Sequence, residues 1–261
     1  MTVPRCVTIA TTDSGGGAGV QADLKAFAAA GCHGASVIVA LTAQNTRGII
    51  ATHELPDEFI ARQMDAVFSD IGADAVKTGA LVSERIVDTV AGLLGALGDQ
   101  LPPLVVDPVI RSSTGAELLT PAGVALMVRR IFPLATVVTP NLYEAEALAG
   151  TVGSRHDLAE RILASGARAV LITGGHGEPV DHLFDGHEHT SIAVRRVESQ
   201  ATHGSGCTHS ATLAAGLARG LALVDAARGA AETTASAIVH GLAEIGAGEG
   251  PVDVLHLRSR H

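Results

Sequence analysis

Apolar positions along the chain alternate between two rhythms, a short β-branched run and a longer stripe at helical spacing, and the alternation continues over most of its length. Val7 and Ile9 lie in a first β-type run. A glycine-rich turn at 13–19 follows, and then a helix that places Val20, Leu24, Phe27 and Ala28 on one face and closes at Gly31. The run 36–41 reads as a buried strand followed by a polar segment, 42–48. Pro56 and Asp57 open a helix whose stripe is Ile60, Met64, Val67 and Ile71, and a further helix from Ser83 carries Val87, Val90, Leu94 and Leu97. Strands are predicted at 104–107, 136–139 and 169–173. Between them lie helices at 124–131, capped by Thr120 and Pro121, through Ala149, and over 155–164. Asp185 and Gly186 separate two β-type runs as a hairpin would. Two alanine-rich helices end the pattern, the second striped by Ala231, Ala235, Ile238, Leu242 and Ile245.

Strands alternating with helices predict a layered α/β sandwich with a mainly parallel central sheet and an edge hairpin, in one domain over 1–261. Ligands of such sheets bind beyond the carboxyl ends of the strands. The polar turns at Asp13, Gln44, Asp107, Asn141 and Thr173 would crowd that rim.

Composition narrows the partner. With 47% hydrophobic residues and only 2% aromatics, the core is aliphatic and a flat ligand would be held mainly by polar contacts. A net charge of −9 without any basic run argues against nucleic acid and anionic membranes, so a small molecule is expected. Three cysteines, Cys6, Cys32 and Cys207, make no disulfide framework. They fit a reducing compartment, the cytoplasm, and no segment predicts export or membrane insertion.

Candidate chemistry starts at the turn 202–210, where glycines precede a helix. Converging backbone N–H groups and the helix dipole there suit an anion, and Cys207 would sit among the donors with an easily lost proton. The turn 13–19 is neither a Walker A loop nor a strict dinucleotide fingerprint. Gln44 and Asn45 offer a donor and an acceptor to a nitrogen heterocycle. Asp107, Asn141 and Glu144 follow predicted strands and suit Mg²⁺, although each alone reads as a turn or cap residue. His203 and His209 flank Cys207, but no compact cysteine and histidine ligand set occurs. His182, His187 and His189 read as exposed hairpin residues.

Taken together, TTDSGGGAGVQADLK (11–25), LTAQNTRG (41–48), VKTGAL (76–81), VVDPV (105–109), TPNLYEAE (139–146), THGSGCTHSA (202–211) and GEGPV (248–252) resemble the hydroxymethylpyrimidine/phosphomethylpyrimidine kinases of thiamin synthesis, a branch of the ribokinase-like superfamily. The resemblance implies a ribokinase-like three-layer α/β/α sandwich. It implies transfer of the ATP γ-phosphoryl group to 4-amino-5-hydroxymethyl-2-methylpyrimidine and then to its monophosphate, with Mg²⁺, and a cytoplasmic homodimer. By that similarity Asp23, Gln44 and Ala80 would meet the pyrimidine, and Gly204, Ser205, Gly206 and Cys207 would form the anion hole. Asn141 and Thr173 would lie at the ATP phosphates, and Glu144 and Asp107 at the metal. Two departures stand out: Thr173 occupies the place of a frequent lysine before Gly174, Gly175 and His176, and Ala80 that of a frequent methionine. They predict weaker ATP binding or a broader pyrimidine range. A pyridoxal or pyridoxamine kinase, or a non-catalytic pyrimidine-binding protein, would share the fold.

Overall fold

The structure, a computed structural model, describes residues 2–112, 115–175 and 177–257. Period-two alternation in the strands divides the core into two layers. In β1 (Arg5–Ala10), Val7 and Ile9 join one apolar cluster and Cys6 the other; in β5 (Ala75–Thr78), Val76 and Ala75 split in the same way. With β2 (His33–Ile38), β6 (Leu104–Val106), β7 (Val137–Val138), β8 (Val170–Ile172), β9 (Val180–Phe184) and β10 (His189–Ala193), these strands build one sheet in the order β10-β9-β8-β7-β6-β5-β1-β2. Pairing is parallel from β8 through β2 and antiparallel at the β8–β9–β10 edge, where the expected hairpin lies.

Helices cover both faces. On one pack α1 (Gly19–Ala29), α7 (Ser205–Ala218) and α8 (Leu223–Val239); on the other, α2 (Asp57–Ala66), α3 (Glu84–Ala96), α4 (Pro121–Arg130), α5 (Leu142–Ala149) and α6 (Arg155–Leu163). The capping chemistry matches the expected starts: Ser83 accepts from Ile86 N–H, and Thr120 accepts from Gly123 N–H with Pro121 in the first position. The alanines of α7 and α8 let the two helices pack closely in the smaller-residue layer.

Four elements differ from the sequence reading. Strand β5 is not among the expected strands, and α8 ends at Val239, so Leu242 and Ile245 of the expected stripe lie beyond it. The chain leaves the main sheet at Ile38, and β3 (Ala40–Asn45) pairs antiparallel with β4 (Gly48–Glu54) in a separate two-stranded ribbon. Its polar residues disguised a half-exposed strand pair as a loop. The stripe through Ile71 is also not one regular helix: α2 ends at Ala66, and residues Val67–Ile71 form a wider turn closed by Gly72, whose N–H reaches the Val67 carbonyl at a left-handed φ of 71°.

Candidate active site

The carboxyl ends of β1, β5, β6, β7 and β8 open into a cavity of about 1030 Å³, roofed on one side by the β3–β4 ribbon and closed by the start of α7. Gln44, Ala80, Asp107, Asn141, Glu144, Thr173, Gly204, Ser205, Gly206 and Cys207 all line it. Asp23 does not.

Asp23, expected among the pyrimidine contacts, is set apart from the other expected residues by burial. It faces inward from α1, is fully buried, and spends its oxygens on Lys77 Nζ at 2.7 Å and the Thr8 hydroxyl at 2.6 Å. The alternation that sends Val76 to one layer sends Lys77 to the other, between the sheet and α1 and α7. Lys77 is also 3.8 Å from an Asp107 oxygen. Burial alone would lower its pKa, but Asp23, Cys207 and Asp107 together raise it, so Lys77 stays cationic at the cavity floor. Burial pushes the Asp23 carboxyl upward, against the pull of Lys77 and Thr8. Lys77 was legible only as a charged residue inside an otherwise apolar strand, the kind of position where lysine is fully buried only when paired.

Two glycine turns interlock above this floor. Asp13 accepts from Gly15, Gly17 and Ala18 N–H at 2.8, 3.0 and 2.8 Å, and from His203 Nε2 at 2.9 Å. Burial would raise its pKa, but the His203 bond and the backbone donors hold it below the usual carboxylate range. Gly204 lies at φ 81°, and a Cβ there would come within 1.8 Å of the Gly17 carbonyl oxygen. The turn 13–19, whose direct ligand contact the sequence left open, thus supports the α7 turn, and Asp13, Ala18 and Gly19 also reach the cavity wall.

Helix α7 begins without a side-chain cap; Ser205 N–H donates to the Thr202 carbonyl, which leaves the Gly206 and Cys207 amides of the first turn to an anion, where the helix dipole adds positive potential. Cys207 lies in this turn, half-buried. Contrary to the expected easily ionised thiol, its pKa is pushed up to about 12: burial outweighs the charge of Lys77 and the Gly19 N–H, and Asp23 and Asp107 add to the rise.

Across the cavity Asn141 and Glu144 form a reciprocal capping box at the start of α5. The Asn141 side chain accepts from Glu144 N–H at 3.0 Å, and Glu144 accepts from Asn141 N–H at 2.9 Å. Glu144 also accepts from Ile110 N–H at 3.3 Å. Its burial, reinforced by the charge of Asp107, pushes its pKa up to about 8 despite these two donors. Asp107 in turn accepts from the Ser210 hydroxyl at 2.9 Å. Gln44 faces a register irregularity at which Ile50 of β4 is the extra residue, and its side chain lies 3.3 Å from the Thr42 hydroxyl. Thr173 ends β8 beside Asn141; His176 lies outside the described residues. A pair not anticipated, Asp181 and His209, joins β9 to α7 at 2.8 Å on the cavity wall, with Asp181 also accepting from Gly174 N–H.

A cationic floor, an uncapped helix turn and facing carboxylates around one cleft are the equipment of phosphoryl transfer, and the sandwich around them is ribokinase-like. The Bacillus subtilis pyridoxal kinase, solved in complex with ADP, matches with a TM-score of 0.89 at 32% identity over 98% of this chain and 99% of that one. The phosphomethylpyrimidine kinase of Clostridium difficile gives 0.79 at 37% identity, over 90% and 99%. A hydroxymethylpyrimidine/phosphomethylpyrimidine kinase of Rhizobium meliloti is 46% identical over 96% of both chains. The family model for phosphomethylpyrimidine kinase matches residues 13–253, and the chain belongs to that family. It is a phosphotransferase of thiamine biosynthesis.

Proposed function

We propose that this chain transfers the γ-phosphoryl group of ATP first to the hydroxymethyl oxygen of 4-amino-5-hydroxymethyl-2-methylpyrimidine and then to the monophosphate so formed. The observation that carries this reading is the cavity itself, which gathers Gln44, Lys77, Asp107, Glu144 and the α7 turn from five distant segments. Phosphoryl transfer depends on positioning and on stabilising charge spread over the equatorial oxygens. The α7 amides and Lys77 supply fixed positive potential for that purpose. Gln44 and Ala80 would meet the pyrimidine, and Asn141, Thr173 and Ser205 the ATP phosphates.

The donor set fits Mg²⁺. Asp107 and Glu144 are oxygen ligands close enough for the charge of one to raise the pKa of the other, a conflict that a hard dication between them would relieve. Mg²⁺, when bound, would neutralise phosphate charge. Cys207, neutral at pH 7, acts in this reading as a polar neighbour of the moving group and not as a covalent nucleophile. Thr173 adds no charge at the phosphates, which favours weaker ATP binding than a lysine would give.

The reading extends to one catalytic domain, a cytoplasmic location and a homodimer. The three cysteines are free thiols, and Leu41 and Ile50 on the exposed ribbon offer apolar surface for a second copy. Among the described residues no helix is long and apolar enough to cross a membrane.

A second acceptor, pyridoxal, is favoured by the likeness to pyridoxal kinase and by the small Ala80 on the wall. Initial rates with the hydroxymethylpyrimidine, its monophosphate and pyridoxal, each with Mg²⁺ and ATP, test both readings. Turnover of the first two is expected, with Thr173→Lys lowering the KM for ATP and Ala80→Met narrowing acceptor range. Saturable pyrimidine binding without turnover of any acceptor would overturn the proposal.

A further inference from the structure

At the sheet's antiparallel edge, on the face of β9 opposite the cavity-lining Asp181, imidazoles gather between α6 and the β9–β10 hairpin. Ser154 caps α6 and sets its phase, so His156 and Glu160, four residues apart, share one face. In β9 the alternation buries Asp181 and Leu183 toward α7, leaving His182 and Phe184 on the side of α6. His189 opens β10 directly opposite Phe184 in the ladder and therefore lies on that same side. His156, Glu160, His182, Phe184 and His189 do not line the cavity.

The spacing is that of a chelate. Glu160 Oε1 lies 3.6 Å from His156 Nδ1 and 3.5 Å from His189 Nε2, and the three atoms all fall within 4.8 Å of one another. Ligand atoms around a tetrahedral zinc ion stand about 3.3–3.4 Å apart, from bonds of about 2.0–2.1 Å. The separations match, but His156 stacks nearly parallel on the His189 ring, so His156 must turn about its side-chain torsions, off that ring, for the two lone pairs to converge on one ion. His189 is oriented from behind. Its Nδ1 is 2.8 Å from His182 Nε2, and in the tautomer whose Nδ1–H donates to His182 the Nε2 lone pair faces Glu160. Phe184 stacks on the same ring at 4.0 Å and 5°, and His156 stacks on it at 3.6 Å and 17°. A helical i,i+4 pair alone would be an ordinary surface contact. A third ligand from a different element, held by the Phe184 ring and by a hydrogen bond to its other nitrogen, is what an ion pair does not require.

We propose that His156, Glu160 and His189 form a binding site for a divalent transition metal of the zinc class, with solvent in the remaining position. Imidazole donors select such ions over Mg²⁺ and Ca²⁺. The bound ion would tie α6 to the edge hairpin, independently of the kinase reaction.

The test uses the full chain freed of metal by a chelator. Calorimetric titration with Zn²⁺, and with Co²⁺ for its tetrahedral absorption bands, should give one ion per chain. His182→Phe, which removes the acceptor behind His189, should weaken Zn²⁺ binding by roughly ten-fold. His156→Ala, Glu160→Gln and His189→Ala should each weaken it more. His156 and Glu160 are exposed, so their variants should keep the wild-type melting temperature without metal and the wild-type kinase rates. Zn²⁺ should raise the melting temperature of wild type and not of these variants. Zn²⁺ affinity unchanged when His156→Ala, Glu160→Gln and His189→Ala are combined, or a Co²⁺ complex without tetrahedral bands, would overturn the proposal.

Discussion

Lys77 and Asp23 show how one residue's alternation in a strand determines what the site can be. A charged pair with no exposed side-chain surface stands only because each member satisfies the other, and Thr8 takes another Asp23 oxygen. Removing one member strands the other. Lys77→Met should destabilise the protein by about 3–5 kcal/mol, read by denaturant unfolding. Lys77→Met with Asp23→Asn should cost less than Lys77→Met alone and still abolish phosphoryl transfer, because the cationic floor is gone. Cys207 poses the complementary question. Its thiol is neutral beside Asp23 and Asp107, so Cys207→Asp would add a third carboxylate to the same corner. The second acceptor is an already ionised phosphate monoester, whereas the first is an alcohol. The variant should therefore slow phosphorylation of the monophosphate more than that of the alcohol, compared by single-turnover rates. Equal retention of both steps would remove the argument for a neutral residue there.

At the scale of elements, the site is made by turns that hold one another. The 13–19 turn and the start of α7 lie 190 positions apart at Asp13 and His203, yet a Cβ on Gly204 would overlap the Gly17 carbonyl, and one on Gly17 would overlap the His203 ring. Gly204→Ala combines that overlap with a left-handed φ. It should lower stability by at least about 1–3 kcal/mol and impair turnover more than acceptor binding, read from kcat and KM for the pyrimidine. The glycines were visible in the chain, but their mutual contact was not, because turn propensity says nothing about which other turn approaches. The same limit explains the β3–β4 ribbon. Strand β3 buries only the alternate residues Ala40 and Thr42, and β4 buries none, so no apolar run announces the ribbon and Gln44 reads as a loop residue. Conversely, the Asn141–Glu144 capping box and the Thr120–Pro121 helix start rest on neighbours three residues apart, and local signals sufficed for them.

For the whole molecule, two carboxylates should shape the dependence of stability on pH, with opposite signs. Asp13 is held below its ordinary value of 3.8, so its contribution is present above that value and is lost as pH falls through its native value. Glu144 is raised from 4.5 to about 8. Between those limits the native state keeps a proton that the unfolded chain releases, so its contribution declines as pH rises across the window. Thermal unfolding without divalent ions should show a melting temperature that falls from about pH 5 to pH 8 in wild type and is flatter in Glu144→Gln. A wild-type curve no steeper than that of the variant would contradict the assignment. Local periodicity and capping chemistry, which act over a few residues, determined by themselves the α/β alternation, the parallel sheet with its edge hairpin and the glycine turn before α7. Ordered motifs brought most of the cavity lining into view. Tertiary structure alone decided that Asp23 is buried against Lys77 and Thr8, that Cys207 is harder to ionise and not easier, and that three histidines and Glu160 share an edge. In each case the deciding quantity is the burial and charge that other segments impose on a residue, and those depend on chain neighbours tens to hundreds of positions away.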